Sequence, residues 1–279
     1  MRRLPFLLIV FGALASVPTA VHADEKKPLL KVAMLIPIEP WDRKAGLEAW
    51  RKWLEETYRV EIIWIEPKTP QPTDKTPAEE RKTYYANPPE IPDLDKAADA
   101  DVIFTALTHV AVNEKQSELL LKLLTTKPVV GGRRSHHGIY LKLPKGSAFA
   151  ALKNPGGFSG GYGDLIFGGG FAGHHGGTQQ IKEGSADHPT VKGLTELTKF
   201  TLTDRGYKHK LVADDVTVLI EMKDSKEPQT WCRINKDTKQ RTFYTVHDPR
   251  DIEAQESVRV MLARALFWAA EKNEADYKK

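Results

Sequence analysis

The run Leu29-Leu-Lys-Val-Ala-Met-Leu-Ile36 is apolar at nearly every consecutive position, so both faces of an extended chain would be apolar there. Such a strand is stable only where both faces are covered, as in a parallel sheet flanked by helices. Residues 43–58 then place Leu47, Trp50 and Leu54 at helical spacing with charges between them, which predicts an amphipathic helix. Val60-Glu-Ile-Ile-Trp-Ile65 reads as a second strand. Strand, helix and strand within about 35 residues form a βαβ unit, whose crossover is expected to be right-handed.

The alternation breaks between about residues 66 and 92, where prolines stand at 67, 70, 72, 77, 88, 89 and 92. Proline fixes φ and removes a backbone donor, so this insertion is expected to be an extended surface loop. Tyr84-Tyr85 within it could cover a sugar ring, but a passive insertion is the simpler expectation. Residues 101–107 resume as a strand ending at Thr108-His109. A helix follows over 113–125, with Asn113 and Gln116 resembling a capping arrangement at its start. Pro128-Val-Val-Gly131 opens another strand, and further strands are expected at 200–203, 216–221, 230–234 and 241–246, before a terminal helix over 254–272. The predicted fold is α/β, flavodoxin-like: a largely parallel sheet with helices on both faces and extra strands in the C-terminal half. No Gly/Ser linker divides it, so one domain is expected over 24–279.

The first residues have a different character. Met1-Arg2-Arg3 is basic, residues 4–14 are almost wholly apolar, and Val21-His22-Ala23 offers small residues for a signal peptidase. This is the pattern of a secretory signal over 1–23, too short for a comfortable membrane span. The expectation is a protein exported to a periplasm or the extracellular space, with no stable membrane span after cleavage. The formal net charge of +4 falls to +2 with the loss of Arg2 and Arg3. Basic and acidic residues are interspersed, so nucleic acid is not an implied partner. The single cysteine, Cys232, permits no internal disulfide, and its setting in Thr-Trp-Cys-Arg-Ile suggests a small buried apolar residue and not a nucleophile.

Chemistry concentrates in the glycine-rich stretch 129–177, which holds four of the nine histidines, His136, His137, His174 and His175. Glycine permits close backbone approach, so such a stretch can fold tightly around something small. Ligands of open α/β sheets bind beyond the carboxyl ends of the strands. His109, the pair His136-His137 and His247 each follow a predicted strand, and His174-His175 can reach the same edge. Adjacent residues point different ways, so one of each pair is expected in the site: His137 and His175, with His136 and His174 behind them. His188 reads as a turn residue and His209, between two lysines, as a surface residue. Arg133 or Arg134 is expected to point inward, to bind an oxygen-bearing group or to pair with a carboxylate such as Asp248. Three histidines with Asp248 could furnish a divalent metal site, although no His-x-x-x-His or Cys-x-x-Cys spacing is present. Neither Gly-x-Gly-x-x-Gly nor a Gly-Lys-Ser/Thr ending follows a strand, which disfavours a nucleotide.

Taken in order, Pro128-Val-Val-Gly131 with Arg133 and His137, Phe167-Gly-Gly-Gly-Phe171 with His174-His175, Asp187-His-Pro189 with Gly193, Pro228 with Trp231 and Arg233, Arg241-Thr-Phe-Tyr-Thr-Val-His-Asp248, and Leu266-Phe-Trp-Ala269 resemble the successive motifs of the trehalose-utilisation (ThuA-like) family. The resemblance spans about residues 30–272. It implies a class I glutamine-amidotransferase-like fold without the amidotransferase cysteine, because residues 133–138 offer Ser135, His136 and His137 where the thiolate would stand. Glutamine hydrolysis is thereby excluded. The family's association with sugar catabolism, particularly keto-disaccharides, implies a small-molecule carbohydrate ligand. The chain departs from the family pattern at Asp204-Arg-Gly-Tyr207, where Arg205 replaces an expected glutamate, and at Val246-His247-Asp248.

The expected activity is acid/base chemistry on a sugar or keto-sugar derivative, as a lyase, isomerase or hydrolase. His137 would act as acid/base or metal ligand, His247 oriented by Asp248 would move a second proton, and Arg133 with Tyr207 would hold oxygen atoms, with His109, His174 and His175 lining the ligand. The rival expectations are a non-catalytic carbohydrate-binding or complex-forming domain, favoured by the missing glutamate and the insertion, and a metal-dependent hydrolase. Further copies of the same chain are the one macromolecular partner envisaged.

Overall fold

The computed structural model describes residues 28–37, 43–73, 75–108, 110–137, 139–152, 160–199, 201–202 and 206–279. The expected signal segment, His109 and residues 204 and 205 of the departing motif lie outside the described residues.

The first half carries β1 (Leu30–Leu35), α1 (Arg43–Thr57), β2 (Val60–Ile65), α2 (Ala78–Ala86), β3 (Val102–Thr105), β4 (Ala111–Val112), α3 (Glu114–Thr126) and β5 (Val129–Gly132). The second carries β6 (Tyr140–Leu141), α4 (Tyr162–Phe167), β7 (Gly169–His174), β8 (Gly177–Ile181), β9 (Thr201–Leu202), β10 (Tyr207–Leu211), β11 (Val216–Met222), β12 (Pro228–Ile234), β13 (Arg241–Thr245), α5 (Pro249–Ala254) and α6 (Glu256–Ala269). Nine strands form one sheet in the order β2-β1-β3-β5-β13-β12-β11-β8-β9.

The pairings from β2 to β13 are parallel and those from β13 to β9 are antiparallel. The sheet is therefore mixed, which corrects the expectation of a largely parallel one. The reason lies in connection length. The early strands are separated by helices long enough to carry the chain back to the same end, whereas β11, β12 and β13 follow one another across short turns and can only pair antiparallel.

Core packing explains why β1 is apolar throughout. Val32 and Met34 join Trp50 and Leu54 of α1 and Met261, Leu262 and Leu266 of α6 on one face of the sheet. Ala33 and Leu35 join Leu120, Leu121 and Leu124 of α3 and Phe167 of α4 on the other. Successive side chains thus enter two different cores. The start of α3 is capped as read from the sequence, with Asn113 Oδ1 accepting the Gln116 N–H at 3.0 Å.

The proline-rich insertion is not wholly extended. Pro77 precedes α2, with Glu79 and Glu80 in its first turn. Proline at a helix entry and acids in the first turn both favour a helix start, so the prolines bound a helix instead of preventing one. The Gln116 amide clamps the end of the insertion, donating to the Ile91 carbonyl at 2.6 Å and accepting its N–H at 2.9 Å. The expected terminal helix over 254–272 is α6, and a short helix that the sequence did not signal, α5, precedes it across Gln255, whose backbone is extended.

Candidate functional site

Strands β5 and β13 run side by side, with Gly132 paired to Thr245, so Arg133 and the 246–248 segment emerge together at one sheet edge. Arg133 stands at a sharp elbow with φ of +43°. A left-handed conformation costs a non-glycine residue about 1–2 kcal/mol, so it persists only where the surroundings hold it. Here they do. The Arg133 carbonyl accepts from the Tyr244 hydroxyl and from His136 Nδ1, the latter at 3.1 Å. Its guanidinium donates to Asp248 Oδ2 at 2.9 Å, with the two side chains 8% and 0% exposed.

The glycines of the stretch make room for this elbow. A Cβ at Gly131 would lie 2.5 Å from Ser135 Oγ, and one at Gly163 only 2.2 Å from the His136 carbonyl oxygen. They admit the protein's own backbone and side chains, where the sequence suggested space for a small ligand. Ser135 itself is buried, so it presents no hydroxyl to solvent.

Behind the elbow lies a cluster of rings. The His136 ring sits 4.2 Å from Tyr244, 4.7 Å from His137 and 5.0 Å from His209. His209 also packs 4.9 Å from Trp231. The expectation of a surface position for His209 is corrected: it is buried, because Tyr207 and His209 share one face of β10 while Lys208 and Lys210 point outward. That period-two alternation was present in the sequence, masked by the flanking lysines. Burial pulls the His136 ring well below the usual imidazole range, reinforced by His137 and His209. Burial likewise pulls His209 down to about 3, against a bond from its Nδ1 to the Pro228 carbonyl at 2.7 Å.

Hydrogen-bond direction fixes the tautomers. A carbonyl only accepts, so His136 Nδ1 carries its proton toward Arg133. His137 Nδ1 lies 3.3 Å from that same atom and must face it with a lone pair. Neutral His137 therefore holds its proton on Nε2. Its ring stacks on Phe171 at 4.4 Å and 21°, and the residue is 5% exposed.

The rim comes from β7 and β10, which pair as a separate antiparallel ribbon. Tyr207 packs 5.1 Å from Phe171, 5.4 Å from His174 and 5.6 Å from His137. Arg134 Nε donates to the Tyr207 hydroxyl at 3.2 Å, and Arg133 lies over the Tyr207 ring at 5.5 Å. His174, expected behind His175, is exposed and in ring contact with this rim. His175 is half-buried and is tied in by its backbone N–H, which donates to the Gly206 carbonyl at 2.9 Å.

At the end of β13, Asp248 caps α5, its side chain accepting from the Arg250 N–H at 2.9 Å while Asp251 accepts from the Asp248 N–H at 2.8 Å. Its carboxylate also receives the Arg250 guanidinium at 2.8 Å, besides that of Arg133. The wholly buried His247 has its Nδ1 3.6 Å from Asp251 Oδ2. Asp251, one turn into a helix, thus stands where Asp248 was expected to orient the ring. Asp251 carried no sequence signal beyond residue type; Arg134 was read as the alternative to Arg133, and Phe171, Trp231 and Tyr244 stood in the quoted motifs without an assigned role.

Among the described residues, no group of three or more His, Cys, Asp or Glu side chains is arranged to hold a metal ion. The expected fourth ligand, Asp248, already faces two guanidinium groups, whose charge opposes a cation.

The architecture has known counterparts. A protein described as ThuA-like from Bacteroides uniformis ATCC 8492 superposes with a TM-score of 0.51 at 15% identity, over 95% of this chain and 98% of that one. The fold resembles that of ThuA-like proteins. Another described in the same way, from Parabacteroides merdae ATCC 43184, gives a TM-score of 0.49 at 14% identity, over 88% of this chain and 91% of its own. A β-galactosidase from Bacillus circulans sp. alkalophilus matches at 0.50 and 10% identity over 88% of this chain but only 32% of the galactosidase. No family model and no curated protein sequence matches the chain.

Proposed function

We propose that the chain is an exported protein of sugar utilisation that acts on a sugar or keto-sugar derivative at the β5–β13 edge. The observation that carries this reading is the convergence of His137 and the exposed His174 on the Phe171 and Tyr207 rings, with Arg134 at the Tyr207 hydroxyl. Aromatic faces beside hydroxyl, guanidinium and imidazole groups suit a polyhydroxylated ring. His137, with its Nδ1 lone pair fixed toward His136, presents Nε2–H as a proton donor, and Arg134 with Tyr207 supplies donors for a developing oxyanion. His247 beside Asp251 is the second proton carrier. Removing a proton beside a ketone needs a base, the part left to His247, and an oxyanion stabiliser, while His137 returns a proton as acid, which fits elimination or isomerisation. Incubating the purified protein with 3-keto-disaccharides tests this: His137→Ala and His247→Ala should each lose turnover, and undiminished turnover in both refutes the roles.

A second reading is a non-catalytic carbohydrate-binding domain. It is favoured by burial, since His137 is 5% and His247 0% exposed. Saturable binding of a keto-disaccharide without any product would select it.

A further inference from the structure

Strand β2 closes one side of the nine-stranded sheet, paired to β1 and to no other strand. Its bonds to β1 fix which way its backbone faces, because the carbonyls of Arg59 and Ile65 accept from the N–H groups of Leu30 and Ile36, at 3.1 and 2.9 Å. Alternate residues therefore turn their N–H and C=O away from the sheet, and these are Val60, Ile62 and Trp64. The Val60 N–H is spent on the Tyr58 carbonyl at 3.1 Å, whereas the backbone groups of Ile62 and Trp64 have no partner among the described residues. Open edges are usually blunted by proline, a bulge or several charges, and Val60-Glu-Ile-Ile-Trp-Ile65 carries only Glu61 against pairing. The insertion that follows is fastened elsewhere, to α3 through Gln116 and to Lys142 through the Ala86 carbonyl.

The flank of α1 over this edge is patterned. Lys44, Glu48, Arg51 and Glu55 follow at intervals of four, three and four residues. That spacing keeps them within about 60° of helix arc. The stripe leans over β2, since the Lys44 ammonium lies 2.8 Å from Glu66 Oε2 and the Arg51 guanidinium 5.1 Å over the Trp64 ring. Its charges alternate, basic then acidic, so the stripe is its own complement when reversed. Two of them are unspent: among the described residues no ion pair holds Arg51 or the Glu55 carboxylate, and Lys279 meets Glu55 through its backbone carbonyl.

We propose that this edge is an isologous interface with a second copy of the chain, separate from the histidine edge and independent of the carbohydrate reading. A two-fold axis normal to the sheet sets β2 antiparallel to its copy, so that Ile62 and Trp64 bond across it and the sheet runs on through both subunits. The same axis brings the two α1 helices together, antiparallel and on one face, with Lys44 opposite Glu55 of the second copy and Glu48 opposite Arg51 of the second copy. The reversal of direction is what makes the alternating stripe complementary to itself, and it gives both unspent charges a partner.

Sedimentation equilibrium of the whole chain tests this. A monomer–dimer equilibrium is expected, and Ile62→Pro, which removes an outward donor and leaves the bonds to β1 in place, should abolish it. Arg51→Glu and Glu48→Arg each set like charges opposite one another and should weaken association about tenfold or more. Mixing these two variants sets opposite charges at both contacts, so a heterodimer should form at close to wild-type strength. That rescue keeps the test decisive if Ile62→Pro fails to fold, because misfolded chains would not recover on mixing. A chain that stays monomeric to about 100 μM, a dimer indifferent to all three substitutions, or two weakened variants that do not associate with each other would each overturn the proposal. None of these outcomes bears on keto-sugar turnover.

Discussion

His136 and His209 are two imidazoles kept neutral inside a ring cluster. Their folded pKa values lie below the ordinary value of 6.5, that of His209 at about 3. Unfolding therefore takes up protons wherever the solvent is more acidic than 6.5, so the stability they confer is complete above that pH and drains away as pH falls toward the folded values. Each histidine contributes a slope of up to about 1.4 kcal/mol per pH unit. Urea unfolding at pH 7, 6 and 5, above the range of most carboxylates, should show stability falling with acid, and His209→Gln should remove part of that slope, with His136 and His188, also pulled down by burial, supplying the rest. A pH-independent midpoint across this window would show that neither ring is buried neutral. Residue by residue, the sequence showed that histidines follow the strand ends more clearly than which atoms they meet. The pair His136-His137 stood out because it follows a strand, but which of the two faces a ligand is not fixed by that position. His209 did not stand out, since lysines on both sides conceal an inward-facing alternation. The exchange of Asp248 for Asp251 beside His247 was not legible either: an aspartate before proline reads equally as an orienting base and as a helix cap, and only three-dimensional neighbours such as Arg133 decide it.

Among the elements, the parallel strands and their helices were readable because apolar periodicity is a local signal. The β7–β10 ribbon was not, because Gly-Gly-Phe-Ala-Gly-His has little side-chain pattern and its partner strand lies more than thirty residues downstream. The insertion shows the opposite error, in which abundant proline hid a nine-residue helix. Gln116 is the residue that fastens this insertion to the body, since its amide bonds both backbone groups of Ile91 and also the Asn113 side chain at 3.1 Å. Gln116→Ala should cost about 1–2 kcal/mol and, more specifically, speed limited proteolysis within residues 66–92. Cleavage there at the wild-type rate would mean that other contacts hold the segment.

At the scale of the whole molecule, the order of short motifs indicated the class of fold better than any one of them, and the superposition on a ThuA-like protein agrees with it. What the order did not convey is the change of direction at β13, which is parallel to β5 and antiparallel to β12. Because β13 is hydrogen-bonded on both sides and shares cores with helices on both faces, the parallel and antiparallel halves should unfold together. Tryptophan fluorescence, which samples Trp50 on one face and Trp231 on the other, and far-UV circular dichroism should give coincident thermal transitions. Separated transitions would divide the sheet into two units.

The carboxylate of Asp248 ties these scales together. One of its oxygens receives the guanidinium of the strained elbow, and the other begins the helix that leads into α6 and the core beneath α1. The elbow and the entry to α5 are therefore one mechanical joint. A ligand that drew the Arg133 guanidinium away would cost the buried carboxylate one of its cations and loosen the start of α5, so occupancy of the sheet edge would be felt as slackening of a helix entry on the far side of that carboxylate.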